Sequence, residues 1–324
     1  MAPSEKPMKA LVTGASGKIG MELIGKLVSS GFSIYALSSR NSFEKIQEVT
    51  YIPHNWSQKF MGELPDVDVI FHLASQTSAY VARENISNDI ESNLLSTVSI
   101  LEATSRFRKA PLFIFAGSMT EYGIRTSELI DEAVPSEPLT FYDAAKITSE
   151  TYIQQFANEN IISKGITLRL ANIYGNSNVD GEADRGFLDK TVIRSIYGEP
   201  ITVYGSGNYL RDYLHVSDAA EAFISAFMNS SNLADNFYNI GTGIGTTIIE
   251  SVELIVGKAH QLTGRLSPIV HMDFPEGAYG IEKRNSIADS FRFRTATGWV
   301  PKVKFADGIQ KALEKAWTAA RKSF

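Results

Sequence analysis

The chain contains no cysteine, which removes disulfides, thiolate nucleophiles and cysteine-ligated metals. Its five histidines, His54, His72, His215, His260 and His271, lack metal-ligand spacing. No apolar run approaches the roughly 20 residues needed to span a bilayer. The segment from Met1 to Lys9 has no apolar signal core. A soluble, cytoplasmic protein with no membrane partner is the expectation. Nor is there an excess of basic charge: 31 Lys and Arg stand against 36 Asp and Glu, a net charge of -5. A duplex nucleic-acid binder would want a basic face. An anionic small ligand held by one or two local arginines is still compatible with this balance.

What is present is a core. Of 324 residues, 44% are hydrophobic, enough for one large domain with an appended lobe, or for two domains. Short β-branched or aromatic runs predict buried strands at 9–13, 33–37, 50–53, 67–73, 112–116 and 166–170. Helical spacing lies between most of them, at 19–29, at 90–107 and over about 140–160. In the second of these, Leu94, Leu95, Val98, Leu101 and Glu102 mark the expected face. Such alternation predicts a parallel sheet covered on both sides. Beyond Tyr174 the texture changes. Gly, Asn, Asp and Ser become dense, the strand signals shorten, and helices are expected near 186–197, 218–228, 248–262 and 305–321.

The first strand runs into Gly14-Ala15-Ser16-Gly17-Lys18-Ile19-Gly20. Glycines at this spacing let the backbone turn tightly and approach a pyrophosphate, whose charge meets the positive end of the next helix. A plain tight turn is the alternative. Because the motif opens the first strand–helix unit of an alternating chain, dinucleotide binding is the reading adopted. The second strand ends in Ser38-Ser39-Arg40, without the acidic residue that accepts from the ribose of NAD. Serine hydroxyls and an arginine suit a 2′-phosphate, so NADP is preferred and NAD is the alternative. A solvated Arg40 is the competing view.

Strand 112–116 leads to Gly117-Ser118, and the next helix carries Tyr142 and Lys146, four apart on one face. An ammonium beside a phenol lowers its pKa from about 10, which suits a general acid/base. Ser118 can orient a substrate oxygen. Tyr-x-x-x-Lys alone is more often a surface pair. The order of glycine turn, serine at a strand end and Tyr-x-x-x-Lys on the next helix is what gives it weight.

With those residues in place, nearly the whole chain resembles the extended short-chain dehydrogenase/reductase family, in its nucleotide-sugar epimerase/dehydratase branch. Thr13 and Gly14 through Gly20 match the cofactor turn. His72-Leu73-Ala74-Ser75 is similar to a strand-end motif, and Asn93 to a helix asparagine. Ser118 through Gly123, the segment from Leu168 to Gly175, Arg211 through Val216, and Asn239-Ile240-Gly241 match further blocks. The resemblance implies an α/β fold: a Rossmann-type doubly wound parallel sheet with a smaller C-terminal α/β substrate lobe. It places the dinucleotide domain at 1–174, with 213–240 returning to it, and a nucleotide-sugar lobe at 175–324. It implies Ser118, Tyr142 and Lys146 as catalytic. Gly14, Ser16, Gly17, Lys18, Ile19, Gly20, Ser38, Ser39, Arg40, Leu73, Ala74, Ser75 and Asn93 would serve the cofactor with Tyr142 and Lys146. Thr120, Asn172, Arg211 and Arg284 would serve a nucleotide-diphosphate sugar, and the protein would be a homodimer. His215 reads as a hydrogen-bonded core histidine. Asp180, Glu182, Arg185 and Phe187 are candidates for choosing the sugar.

The sugar 4,6-dehydratases of this family carry Asp-Glu after the catalytic Ser or Thr. Here Met119 and Thr120 stand there, and Glu121 comes one residue late. Methionine transfers no proton, so elimination of water is disfavoured. A 4-epimerase is placed ahead of an NADPH-dependent ketoreductase of a nucleotide-linked 4-keto sugar. A non-catalytic dinucleotide-binding protein is the third reading, and it would expect a broken catalytic set.

Overall fold

A computed structural model of the chain describes residues 7–38, 46–54, 64–125, 128–175, 186–278 and 280–322. In chain order, β1 (Lys9–Thr13), α1 (Lys18–Ser29), β2 (Ser33–Ser38), β3 (Val49–Pro53) and β4 (Val69–His72) come first. Helices α2 (Ala79–Glu84) and α3 (Ile86–Asp89) lead through a π-helical turn (Ile90–Leu95) into α4 (Ser96–Thr104). Next are β5 (Leu112–Ser118), a 3-10 turn (Met119–Tyr122), β6 (Leu129–Ile130), α5 (Phe141–Asn158), β7 (Lys164–Leu170) and β8 (Asn172–Tyr174). The remainder comprises α6 (Phe187–Tyr197), β9 (Ile201–Tyr204), β10 (Leu210–His215), α7 (Val216–Met228), β11 (Phe237–Ile240), β12 (Gly245–Thr247), α8 (Ile248–Thr263), β13 (Ile269–Met272), a second 3-10 turn (Gly280–Lys283), β14 (Ile287–Ala288), α9 (Phe291–Thr297) and α10 (Phe305–Lys322).

Seven strands form one parallel sheet in the order β3-β2-β1-β4-β5-β7-β11. Both faces are covered, which is why its strands read as unbroken apolar runs. Ala10 and Val12 join one core with Leu23, Ile24 and Leu27 of α1 and Phe223 of α7. Leu11, between them, points to the opposite core, with Ile100 and Leu101 of α4 and Ile153 of α5. Burying each such Leu or Ile contributes about 1.5–3 kcal/mol. A smaller lobe has a core of its own, in which Leu188, Val192 and Ile196 of α6 meet Ile255 of α8 and Ile309 and Leu313 of α10. Three short sheets, β12-β10-β8, β13-β9 and β14-β6, complete the molecule. Among the described residues, no helix is long and apolar enough to cross a membrane.

The expected strands and helices are present, with one correction to a face. Along 90–104 the buried side chains are Asn93, Ser96, Thr97, Ser99, Ile100, Leu101 and Thr104, whereas Leu95 is 51% exposed. The wide π turn rotates the helix, so the apolar spacing no longer tells which side faces inward. The buried polar side chains are bonded: Ser96 Oγ donates to Ser92 O at 2.7 Å and Thr97 Oγ1 to Asn93 O at 2.8 Å.

Strand order reverses between β1 and β4, and open α/β sheets bind ligands outside the carboxyl ends of strands at such a point. The glycine turn sits there. Gly14 has φ +67°, and a Cβ on it would lie 2.8 Å from the backbone of Leu73 and Ala74. A Cβ on Gly20 would lie 2.3 Å from Gly14 O. Gly20→Ala must therefore open the turn. Chemical denaturation should show a loss of about 2 kcal/mol, the scale of forcing an added methyl into packed structure; an unchanged midpoint would contradict this close fit.

Candidate active site

The crevice begins at the glycine turn. Gly17 N donates to Gly14 O at 2.9 Å, and Met21 N donates back to Gly17 O at 2.9 Å. Gly17 starts α1 without a capping side chain, and no acidic residue stands in the first turn. The leading amides at Lys18, Ile19 and Gly20 lack intrahelical partners, which suits a phosphate. A cradle that tolerates no Cβ and carries no competing carboxylate fits a dinucleotide pyrophosphate. The Lys18 ammonium pairs with Asp189 of α6, tying the turn to the smaller lobe. At the end of β2, Ser38 Oγ donates to Ser16 Oγ at 2.8 Å. Ser39 and Arg40 lie outside the described residues, as do Asp180, Glu182 and Arg185, while Phe187 is 41% exposed at the start of α6.

The opposite wall is a chain of hydrogen bonds. Thr13 Oγ1 accepts from Leu73 N and Ala74 N, both at 3.1 Å, and stands 2.8 Å from His72 Nδ1. His72 Nε2 is 3.0 Å from Thr97 Oγ1, which donates to Asn93 O. This sequence of donors fits a neutral His72 protonated at Nε2. Complete burial, with the charge of Lys146 adding, lowers its pKa to about 3. Ser75 Oγ donates to Asn93 Oδ1 at 2.6 Å, and Asn93 Nδ2 to Asp89 Oδ1 at 2.7 Å. Gln76 Nε2 adds a bond to the same oxygen at 3.1 Å, while Asp89 Oδ2 has no donor. Burial raises the Asp89 pKa. Asp89 and Gln76 escaped the sequence reading, although the spacing of four between Asp89 and Asn93 was available as a signal.

Tyr142, Lys146 and Ser118 come from neighbouring elements. Thr140 and Asp143 form a reciprocal capping box at the start of α5, which sets Tyr142 in the first turn. Lys146 is 1% exposed. Its Nζ donates to Ala116 O of β5 at 2.9 Å and lies 5.7 Å from the centre of the Tyr142 ring. Burial lowers its pKa to about 8 against the opposing pull of Glu121, Asp89 and Glu150. Ser118 ends the same strand, with its hydroxyl 2.8 Å from that of Thr120. Met119 is buried at 3% exposure. Glu121 is turned beneath the strand to Ser118 N and Arg169, so it does not supply the acid or base of an elimination. His215 accepts from Ser217 N at 3.2 Å and packs edge-on against Tyr174. That is a capping role, and burial lowers its pKa.

Two arginines make no hydrogen bond to a carboxylate among the described residues. Arg211 on β10 donates to Leu210 O, Arg284 O and Glu282 O. Arg284 donates to Ile281 O at 2.9 Å, and its Nε is buried without an acceptor. They are 4% and 7% exposed. Burial and the neighbouring Arg211 charge lower the Arg284 pKa to about 10. Two buried guanidiniums that repel one another, one with a spare donor, are chemically suited to an anion. Asn172 is exposed on β8, the neighbour of β10.

A parallel sheet wound in this order, with a glycine cradle at its reversal point and a Ser–Tyr–Lys set on the adjoining elements, defines a dinucleotide-dependent enzyme of the short-chain dehydrogenase/reductase type. Residues 10–241 match the model of the NAD dependent epimerase/dehydratase family, and the chain belongs to that family. The UDP-glucose 4-epimerase of Mycolicibacterium smegmatis is 28% identical over 323 residues, spanning 95% of this chain and 98% of the relative. A crystal structure of UDP-glucose 4-epimerase with UDP-glucose from Thermotoga maritima aligns with a TM-score of 0.84 at 27% identity, covering 98% and 99% of the two chains. The Thermus thermophilus UDP-glucose 4-epimerase in complex with NAD gives 0.81 at 27% identity, covering 95% and 99%.

Inorganic pyrophosphate should raise the melting temperature by binding the arginine pair. Arg284→Met should weaken that binding by roughly tenfold or more, the scale of a lost charge-assisted hydrogen bond. An equal thermal shift in the variant would remove Arg284 from the anion site.

Proposed function

We propose that the protein is a nucleotide-sugar 4-epimerase. The observation that carries this is the buried Lys146, bonded to Ala116 O two residues before Ser118 and 5.7 Å from the centre of the Tyr142 ring, in a chain that also holds two buried arginines suited to a diphosphate. Lys146, anchored on Ala116 O, keeps a positive charge beside the Tyr142 ring and favours the phenolate. Tyr142 takes the proton of the sugar C4 hydroxyl and later returns it, while Ser118 orients that oxygen. The bound dinucleotide supplies reversible hydride exchange at the same carbon. Arg211 and Arg284 hold the diphosphate of the substrate, with Asn172 beside them. Thr120, hydrogen-bonded to Ser118, faces the same oxygen. UDP is the nucleotide supported by the named relatives.

One observation favours a second reading, an NADPH-dependent ketoreductase of a nucleotide-linked 4-keto sugar. No carboxylate stands on β2, where Ser38 ends the strand. Serine hydroxyls with Arg40 suit the 2′-phosphate of NADP, whereas the Thermus relative was solved with NAD. The ratio of the two dissociation constants decides the cofactor.

The decisive experiment supplies UDP-, dTDP-, CDP- and GDP-sugars with and without NADPH and follows product mass and stereochemistry. Interconversion of isomers without net cofactor use is expected. Net NADPH oxidation with a keto sugar alone supports the reductase, and loss of water refutes the argument from Met119 and Thr120. Tyr142→Phe should lower turnover at least ~100-fold, as loss of a general acid/base does; a near-normal rate removes Tyr142 from the mechanism.

A homodimer belongs to the same proposal. Ile86, Ile90 and Leu95 are 40%, 41% and 51% exposed around the π turn, and Tyr152 of the adjoining α5 is 44% exposed. Apolar exposure on neighbouring helices suits a self-complementary contact. Light scattering should give twice the chain mass, and Leu95→Glu with Ile90→Glu should give a monomer. A monomeric parent protein would refute the pairing.

A further inference from the structure

Beneath the end of β5 lies a group of charges with no role in the reaction proposed above. Glu121, Glu150 and Arg169 are 0%, 9% and 2% exposed. Arg169 Nε lies 3.0 Å from Glu121 Oε2 and donates to Glu150 Oε1 at 3.0 Å. Its Nη2 donates to Glu150 Oε2 at 2.7 Å. The guanidinium is held between rings, 4.8 Å from the centre of Tyr122 and 3.9 Å from that of Phe237. Glu121 Oε1 accepts from Ser118 N at 2.6 Å, but no donor meets Glu121 Oε2 in hydrogen-bond geometry. The two carboxyls converge over Gly117: a Cβ there would lie 3.1 Å from Glu121 Oε1 and 3.1 Å from Glu150 Oε1.

Two ionised carboxylates and one guanidinium would leave a negative charge where water does not reach. The groups facing Glu121 are Arg169 from β7, Glu150 and Lys146 from α5, Tyr122 from its own turn and the amide of Ser118 from β5. Lys146 is the second cation, but its ammonium is bonded to Ala116 O. A buried charge without a partner takes up a proton instead, and a second carboxylate close by favours the neutral form. We propose that Glu121 carries a proton at neutral pH, so that Arg169 is balanced by its ion pair with Glu150, and that Glu121 is a positioning residue for Ser118. Burial and the charge of Glu150 push the Glu121 carboxyl well above the ordinary carboxylate range. Protonated at Oε2, which no donor meets, Glu121 still holds the Ser118 amide through Oε1. Glu121 also closes the capping box that starts the 3-10 turn.

The proton is independent of turnover, whereas the positioning role rests on the part assigned to Ser118 above, so the two are read separately. Infrared spectra of the intact protein at neutral pH should show the carbonyl stretch of a protonated carboxylic acid, absent in Glu121→Gln and bleached as the pH rises. Absence of the band in the wild type overturns the proton on Glu121. Linkage gives a second reading that does not depend on any one absorption. A folded-state pKa above the unfolded one, about 4.3, contributes stability that is complete below the unfolded value and fades as pH rises through the folded one. The melting temperature of wild type relative to Glu121→Gln should therefore fall with rising pH, and a constant difference counts against the proton. For positioning, Glu121→Val should lower kcat about tenfold with KM nearly unchanged, a transition-state effect, and Glu121→Gln should restore most of it because its amide oxygen still accepts from Ser118 N. Equal losses in Val and Gln, or a change confined to KM, overturn the positioning role while leaving the infrared result standing. Tyr142→Phe tests the reaction itself.

Discussion

The hydrogen bond from Lys146 to the carbonyl of Ala116 organises the centre of this molecule. A wholly buried ammonium must spend its donors on fixed acceptors, so the bond clamps α5 to β5. Tyr142 lies one helical turn before Lys146, and Ser118 two residues beyond Ala116. One buried contact therefore relates both side chains that would meet the substrate. Burial brings Lys146 to about 8, where nearby carboxyls govern how readily it keeps its charge. That makes the protonation of Glu121 and Asp89 relevant to Lys146, on which both act through charge.

The two halves of the crevice solve different problems. On the cofactor side, the glycine cradle removes side chains so that backbone amides are presented, and the Thr13–His72–Thr97–Asn93 chain fixes the facing loop with neutral groups. Around Arg211 and Arg284, buried positive charge is concentrated, and among the described residues no carboxylate is hydrogen-bonded to it. Arg211 and Arg284 repel one another, a repulsion that a bound diphosphate would relieve. Stability set aside at a site for a ligand is a common exchange in enzymes. Lys18 and Asp189 join the glycine turn to the smaller lobe through a salt bridge between residues 171 apart in sequence.

Much of the framework was legible in the sequence because its signals are local. Buried strands appear as apolar runs, the glycine turn as a spacing, and Tyr142 with Lys146 as one helical turn. The strand ends therefore pointed to the crevice before any geometry was known. The 90–107 helix was misread as to face, since a π turn changes the angular step on which periodicity rests and its inward side is filled by bonded polar groups. Asp189 carried no signal at all, being one carboxylate among 36 acidic residues. Glu121 was read for its absence from the elimination chemistry, and its bonds to Ser118 and Arg169 were out of reach.

By itself the sequence determined the order of elements, the glycine turn and the placing of Tyr142 and Lys146 one helical turn apart, because each depends on residues within a few positions of one another. It also carried the departure at Met119 and Thr120 that argues against elimination. Only the tertiary structure decided which charges are buried together. Arg169 meets Glu121 because β7 lies beside β5, and Arg211 meets Arg284 because β10 passes the second 3-10 turn. Such neighbours are chosen by strand order and chain return, and the electrostatics of a buried group depend on distances that spacing along the chain does not contain.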